Sequence, residues 1–162
     1  MCEERHLPAH EWSVMTGTIG FDAAIRDRHG LEVLSASECA RRLGRGGVGR
    51  VAVSLGALPA IFPVNYAVVG DDIVFKSGPG TKLTAALQGA VVAFEIDDSD
   101  RISHGGWSVM VVGPARRITD EQEIRQAEAL PLASWAPNGD DVFIRVEARI
   151  VSGRAINHDE VI

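Results

Sequence analysis

Val48-Gly49-Arg50-Val51-Ala52-Val53-Ser54-Leu55, Leu58-Pro59-Ala60-Ile61-Phe62-Pro63-Val64-Asn65-Tyr66-Ala67-Val68-Val69 and Ile73-Val74-Phe75-Lys76-Ser77 are three apolar runs. Only Gly56-Ala57 and Gly70-Asp71-Asp72 separate them. The first alternates in part, with Val51, Val53 and Leu55 set against Arg50, Ala52 and Ser54, and reads as a strand. Connections this short cannot carry a parallel crossover, so the three strands form an antiparallel meander. Pro59 and Pro63 remove two backbone donors from the second strand, which is therefore expected to be irregular or bulged around Pro63.

The same reading extends outward. Val91 to Ile96 is a fourth strand, and its continuous apolar character predicts burial on both faces. Trp107 to Ile118 is a fifth strand, bent or bulged at Gly113-Pro114, and Val142 to Val151 is a sixth. A helix opens after Leu34, where Ser35 and Glu38 have the capping-box spacing, and ends at Gly44, Gly46 and Gly47. Thr81 to Gln88 and Asp120 to Leu130 are two further short helices. Strands joined by tight turns exclude a doubly wound parallel sheet. The expected fold is mainly β, a six-stranded antiparallel split barrel with helices at its rim, since closure removes exposed edges.

The 162 residues are 46% hydrophobic and 23% charged, which fits one globular domain and excludes general disorder. The expected organisation is an arm over 1–34, the barrel domain over 35–156 and a tail over 157–162. A net charge of −6 argues against non-specific nucleic-acid binding. Cys2 and Cys39 form no disulfide framework, and the N-terminus has no apolar signal core, so a cytoplasmic protein without membrane association is expected.

Three segments could carry chemistry. Ser77-Gly78-Pro79-Gly80-Thr81-Lys82 is a strand end, a glycine-rich turn and a helix start, with hydroxyls at Ser77 and Thr81 and a charge at Lys82. Backbone N–H groups at such a turn can cradle a phosphate, with Gly80 allowing close approach. A plain turn with a solvated lysine is the competing reading. Pro63-Val64-Asn65-Tyr66 is a proline-broken strand whose free backbone groups could meet the edge of a heteroaromatic ring, against a simple edge with Tyr66 in the core. Trp107-Ser108-Val109 follows two glycines, so Trp107 could cover a ring system or fill the core.

In this order and spacing, together with Ser37-Glu38-Cys39, Gly49 to Ser54 and Val92 to Asp97, these segments resemble the pyridoxamine 5'-phosphate oxidase-like family of FMN-binding split barrels. The resemblance runs from about Leu34 to Ile156. It implies a homodimer with FMN between subunits. Pro63, Val64, Asn65 and Tyr66 would flank the ring. Ser77, Gly80, Thr81 and Lys82 would hold the phosphate, and Trp107, Ser108 and Val109 would lie near the ring. It implies an oxidoreductase acting on a small molecule. A deazaflavin-dependent reductase and a non-enzymatic flavin or haem carrier are the alternatives within the fold. The chain ends Arg154-Ala155-Ile156-Asn157-His158-Asp159-Glu160-Val161-Ile162, without the basic Arg-Leu-x-Pro run of the true oxidases, which argues against vitamin B6 phosphate as substrate.

Overall fold

The meander is present in the computed structural model, which describes residues 25–79, 83, 84, 87, 89–102, 104–133 and 141–156. Among these the elements are β1 (Glu32–Val33), α1 (Ala36–Leu43), β2 (Gly47–Leu55), β3 (Leu58–Val69), β4 (Asp72–Ser77), β5 (Val91–Ser99), β6 (Gly106–Arg117), α2 (Glu121–Glu128), β7 (Val142–Val146) and β8 (Ile150–Ile156). Gly56 (φ +64°) and Gly70 (φ +65°) each open a two-residue loop, as a glycine-first hairpin turn requires.

The bulge expected at Pro63 is absent. β2 and β3 keep one register from Gly47↔Tyr66 to Leu55↔Leu58. The two-residue loop makes Leu55–Leu58 a hydrogen-bonded pair. Alternation then puts Pro59, opposite Ser54, and Pro63, opposite Arg50, in non-bonded pairs whose nitrogens face away from β2. On that far side β4 pairs only with Tyr66 to Val69, so neither proline interrupts a ladder.

The strands close into a six-stranded antiparallel barrel in the order β2, β3, β4, β7, β6, β5 and back to β2. Closure comes from Ala115↔Val146, Arg116↔Arg145 and Arg117↔Ile144. The predicted sixth strand is two strands. β7 pairs with β4 and the end of β6, and β8 pairs with the first half of β6 and with β1. Between them Glu147, Ala148 and Arg149 face two residues, Gly113 and Pro114, which is a β-bulge. Glu147 N donates to Pro114 O (3.0 Å) and Arg149 N to Val112 O (3.1 Å). Gly113-Pro114 thus marks the bend, as the sequence predicts.

Val51, Ile73, Phe75, Phe94, Val109, Val111, Ile144 and Val146 fill the lumen at 1% exposure or less. Each large apolar side chain so buried is worth about 1.5–3 kcal/mol. Tyr66 meets Phe94 edge-on, with centroids 4.8 Å apart. β5 is not buried on both faces. Val92, Phe94 and Ile96 point inward, whereas Val91 is 69% exposed, because a barrel strand has one lumen face and one outer face.

α1 covers one end of the barrel through Cys39 and Leu43. Its cap is the predicted one, with Ser35 Oγ accepting from Glu38 N at 3.2 Å. Gly153 is required beneath it, since a Cβ there would lie 2.7 Å from Cys39 Sγ. α2 begins at Asp120, whose carboxylate accepts from Gln122 N and Glu123 N at 2.9 Å each. Of the arm, 25–34 runs beside β8, held by Glu32↔Ala155 and by Asp27 with Arg154 at 2.9 Å. Residues 1–24, the 157–162 tail and most of the predicted Thr81 to Gln88 helix lie outside the described residues. No helix among the described residues is long and apolar enough to cross a membrane.

Candidate functional site

The β3–β4 ladder ends at Tyr66↔Phe75, and β4 continues instead against β7 as far as Ser77↔Val142. From Leu58 to Asn65 the outer edge of β3 therefore has no partner strand among the described residues. Among the described residues no strand takes up the backbone polar groups along that edge. Pro63 and Asn65 face outward there. Asn65 Nδ2 donates to Ala133 O at 3.3 Å, so the segment after α2 reaches the same place. Val64 and Tyr66 face the lumen at 4% and 3% exposure, and can meet a ligand only through their backbone. The Tyr66 hydroxyl donates to Leu43 O (2.9 Å), and burial pushes its pKa up to about 12, so it stays protonated.

The glycine-rich turn begins beside this edge. Ser77 is buried, and its hydroxyl lies 3.0 Å from that of Thr84, which donates to Gly78 O at 2.8 Å. Thr84 is a residue that sequence reasoning misses; its hydroxyl three residues after Thr81, one turn along the predicted Thr81 to Gln88 helix, is the available signal. Gly80, Thr81 and Lys82 lie outside the described residues.

The third segment is elsewhere on the barrel. Val109 is fully buried in the lumen, and Ser108 faces outward. Trp107 is partly buried against the main core, with the Arg42 guanidinium carbon 4.3 Å from its ring centroid. β6 and β3 are separated by β5 and β2, so Ser108 and Asn65 lie roughly 14 Å apart along the sheet, three strand spacings. The structure thus brings Pro63–Tyr66 and Ser77 together and leaves Trp107–Val109 at a distance within one chain.

Register adds a residue that sequence reasoning missed. Arg50 stands directly opposite Pro63 on the outer face and pairs with Asp97 and, at 3.6 Å, with Glu95. Asp97 holds the guanidinium more firmly protonated than usual, while burial and the Asp97 charge raise the Glu95 carboxyl. The alternation that put Val51 inside already put Arg50 outside, but only pairing shows that it neighbours Pro63. A cavity of about 400 Å³ also lies near the seam, lined by Asp72, Arg116, Glu123, Arg145, Glu147, Ala148 and Arg149. Its charged groups pair with one another and only Ala148 offers an apolar wall, so it does not suit a flat ring.

A family profile described as pyridoxamine 5'-phosphate oxidase matches residues 35–155. An uncharacterized protein of Mycobacterium tuberculosis is 34% identical over 131 residues, covering 78% of this chain and 86% of that one. Among solved structures, an FAD-binding protein from Mycobacterium smegmatis superposes with a TM-score of 0.70 at 34% identity, covering 77% of this chain and 98% of that chain. An FAD-binding protein from Mesorhizobium loti gives 0.66 at 25% identity, over 78% and 99% of the two chains. With the profile spanning most of the chain and the same barrel in these structures, the chain belongs to the pyridoxamine 5'-phosphate oxidase family.

Proposed function

We propose that the protein binds a flavin nucleotide and serves as an oxidoreductase on a small molecule. The carrying observation is the point where β4 leaves β3 after Tyr66↔Phe75. It leaves an open, proline-bearing edge next to a glycine-rich turn, and two relatives of this shape are FAD-binding proteins. The ring would lie along Pro63 and Asn65, near Arg50. The phosphate would sit at the turn from Ser77 through Gly80 and Thr81 to Lys82. FMN and FAD share the ring, ribityl chain and first phosphate, so this site suits either, and FMN is the smallest molecule that satisfies it. The bound flavin would supply two-electron redox chemistry, while the chain binds and orients it.

The distance from Ser108 to Asn65 favours a site completed by a second copy. The outer face supports this. Ile61, Ala52, Ala93, Val112 and Ile150 form one cross-strand row, with Ile61 67% and Ile150 58% exposed. An apolar row of this kind on a barrel exterior fits a two-fold partner. Light scattering should then give about twice the 17.3 kDa chain, roughly 35 kDa. A clean monomer that still binds flavin would remove the shared site. The absorbance spectrum of the purified protein, with extraction of any bound group and titration of the apo-protein with FMN, FAD and a deazaflavin, tests the main reading. Failure to bind any of the three would end it.

A further inference from the structure

Lys76 and Lys82 are the only lysines of the chain; its other fourteen Lys and Arg residues are arginines. The two lysines bracket Ser77-Gly78-Pro79-Gly80-Thr81, and from Ile73 to Phe94 there is no Asp, Glu or Arg. In a chain of net charge −6, this stretch carries positive charge alone.

The fold puts Lys76 where two strands part. Tyr66↔Phe75 is the last pair between β3 and β4, so Asn65 and Lys76 are the residues at which those strands begin to diverge. Tyr66 and Phe75 are buried in the lumen, and alternation turns Asn65 and Lys76 to the outer face. The Lys76 ammonium lies 5.4 Å from the ring centroid of Phe143, its partner on β7, at the rim of the apolar cluster that α2 covers. One residue on, Ser77 pairs with Val142 and the glycine-rich turn begins.

The barrel needs little from this charge. A cation on a partly exposed aromatic face is a weak contact. No carboxylate among the described residues pairs with the ammonium, Asp141 beside Val142 included. Arg145, two residues after Phe143 on β7, is held by Asp72 at 2.7 Å and Glu123 at 2.8 Å. The cation at the seam is thus neutralised and the one at the split is not. Lysine is a compact point charge on a flexible stem, which suits a phosphate, whereas the planar fork of arginine suits paired carboxylates.

We propose that Lys76 is a phosphate-binding residue of the flavin site, its ammonium meeting the nucleotide phosphate on the outer face between Asn65 and the Ser77 turn. This rests on the flavin reading above and extends it: the site takes phosphorylated flavins in preference to riboflavin.

The test titrates the full chain with FMN, FAD and riboflavin at low and high salt. Lys76→Met keeps an apolar stem over Phe143 and removes only the charge. It should melt close to the parent, weaken FMN and FAD binding about ten-fold and leave riboflavin binding unchanged. The salt dependence of FMN binding should be shallower than in the parent. Lys76→Arg keeps the charge and should retain most of the affinity. If the methionine variant does not fold, Lys76→Gln against Lys76→Arg gives the same charge comparison. A charge-removing variant with the parent's preference for FMN over riboflavin overturns the inference, whether it melts lower or weakens all three flavins equally. A parent chain that binds no flavin is a separate outcome: it overturns the flavin reading and this inference with it.

Discussion

Along β6 and β7 the ladder from Ala115↔Val146 to Arg117↔Ile144 completes the cylinder, whereas along β3 and β4 it stops at Tyr66↔Phe75. The closing seam puts two arginines, Arg116 and Arg145, directly opposite each other. Like charges so placed repel. Glu123 of α2 answers both, bidentate to Arg116 at 2.9 and 2.7 Å and accepting from Arg145 at 2.8 Å, while Asp72 of β4 takes Arg145 Nε at 2.7 Å. Backbone, bulge and ion pairs all specify the same closure. At the opening, prolines remove donors, the ladder lapses, and among the described residues no strand takes up the polar groups left over. A barrel can leave one edge open for a ligand or a second copy when the opposite seam is fixed several times over.

The largest effect should come from the seam. At Gly113 a Cβ would lie 1.7 Å from the Glu147 carbonyl oxygen and 2.9 Å from its carbon. Both are backbone atoms of the bulge, so relief requires moving β7 or β8. Gly113→Ala should cost about 4 kcal/mol or more, in the range reserved for strained backbone and overpacking. Denaturant unfolding measures it. A variant within ~1 kcal/mol of the parent would show that the bulge is free to shift and that the seam is no better fixed than the opening.

On the open side the expected effect falls on affinity rather than stability. In the proposed site, where Lys82 would hold the flavin phosphate, Lys82→Ala is expected to remove a charge-assisted contact, on the order of 1.5–3 kcal/mol of flavin binding. Titration of apo-protein by flavin fluorescence measures it, with thermal melts as the control. Unchanged affinity would take Lys82 out of the site.

The third effect returns to the seam and is smaller. Glu123→Gln leaves Arg116 and Arg145 facing each other with one fewer countercharge. Arg116 is 41% exposed on its side chain, so solvent screens the pair and about 1 kcal/mol is expected. The hydrogen bond from Arg116 holds the Glu123 carboxyl below its usual range, against the opposing pull of burial. A depressed carboxyl contributes stability that is present above its unfolded value, about 4.3, and lost as pH falls through the folded value. Acid unfolding of the parent should therefore show a loss that the Gln variant lacks. Parallel pH profiles would show that Glu123 does not titrate with folding.

Much of this contrast could be read from the residues. Short glycine turns fixed the meander, and Gly113-Pro114 marked the bend, because local geometry at a two-residue loop or a glycine admits few solutions. The split of Val142 to Val151 into β7 and β8 was not legible, since both halves are apolar strand sequence and only the approach of Glu147 to Gly113 divides them. The bulge expected at Pro63 is absent because pairing parity decides what a strand proline costs: Pro59 and Pro63 are four apart and so share the non-bonded side. At the site, alternation alone could not separate outward Pro63 and Asn65 from inward Val64 and Tyr66. Nor could it show that Arg50 neighbours Pro63, which depends on register, or that Trp107 lies under Arg42, which depends on where α1 packs.

The smallest effect tests whether the open edge is open. Pro59 is exposed, and its nitrogen faces away from β2. Pro59→Ala restores an N–H that points toward the unpaired side, where it meets water and gains no ladder bond. What is lost is the restriction proline places on the unfolded chain, about 0.4–1 kcal/mol. The denaturation midpoint should fall by no more than that, and a loss above ~2 kcal/mol would mean that the edge is packed rather than free. The pair Pro59→Ala and Pro63→Ala sharpens the point. Together they give β3 a continuous row of donors from Leu58 to Asn65, the kind of edge along which separate molecules pair. Concentration-dependent light scattering beyond that of the parent, with stability nearly unchanged, is the expected result. It follows from the same geometry that lets both prolines sit in a regular strand: they cost the β2 ladder nothing, and they silence the side that faces outward.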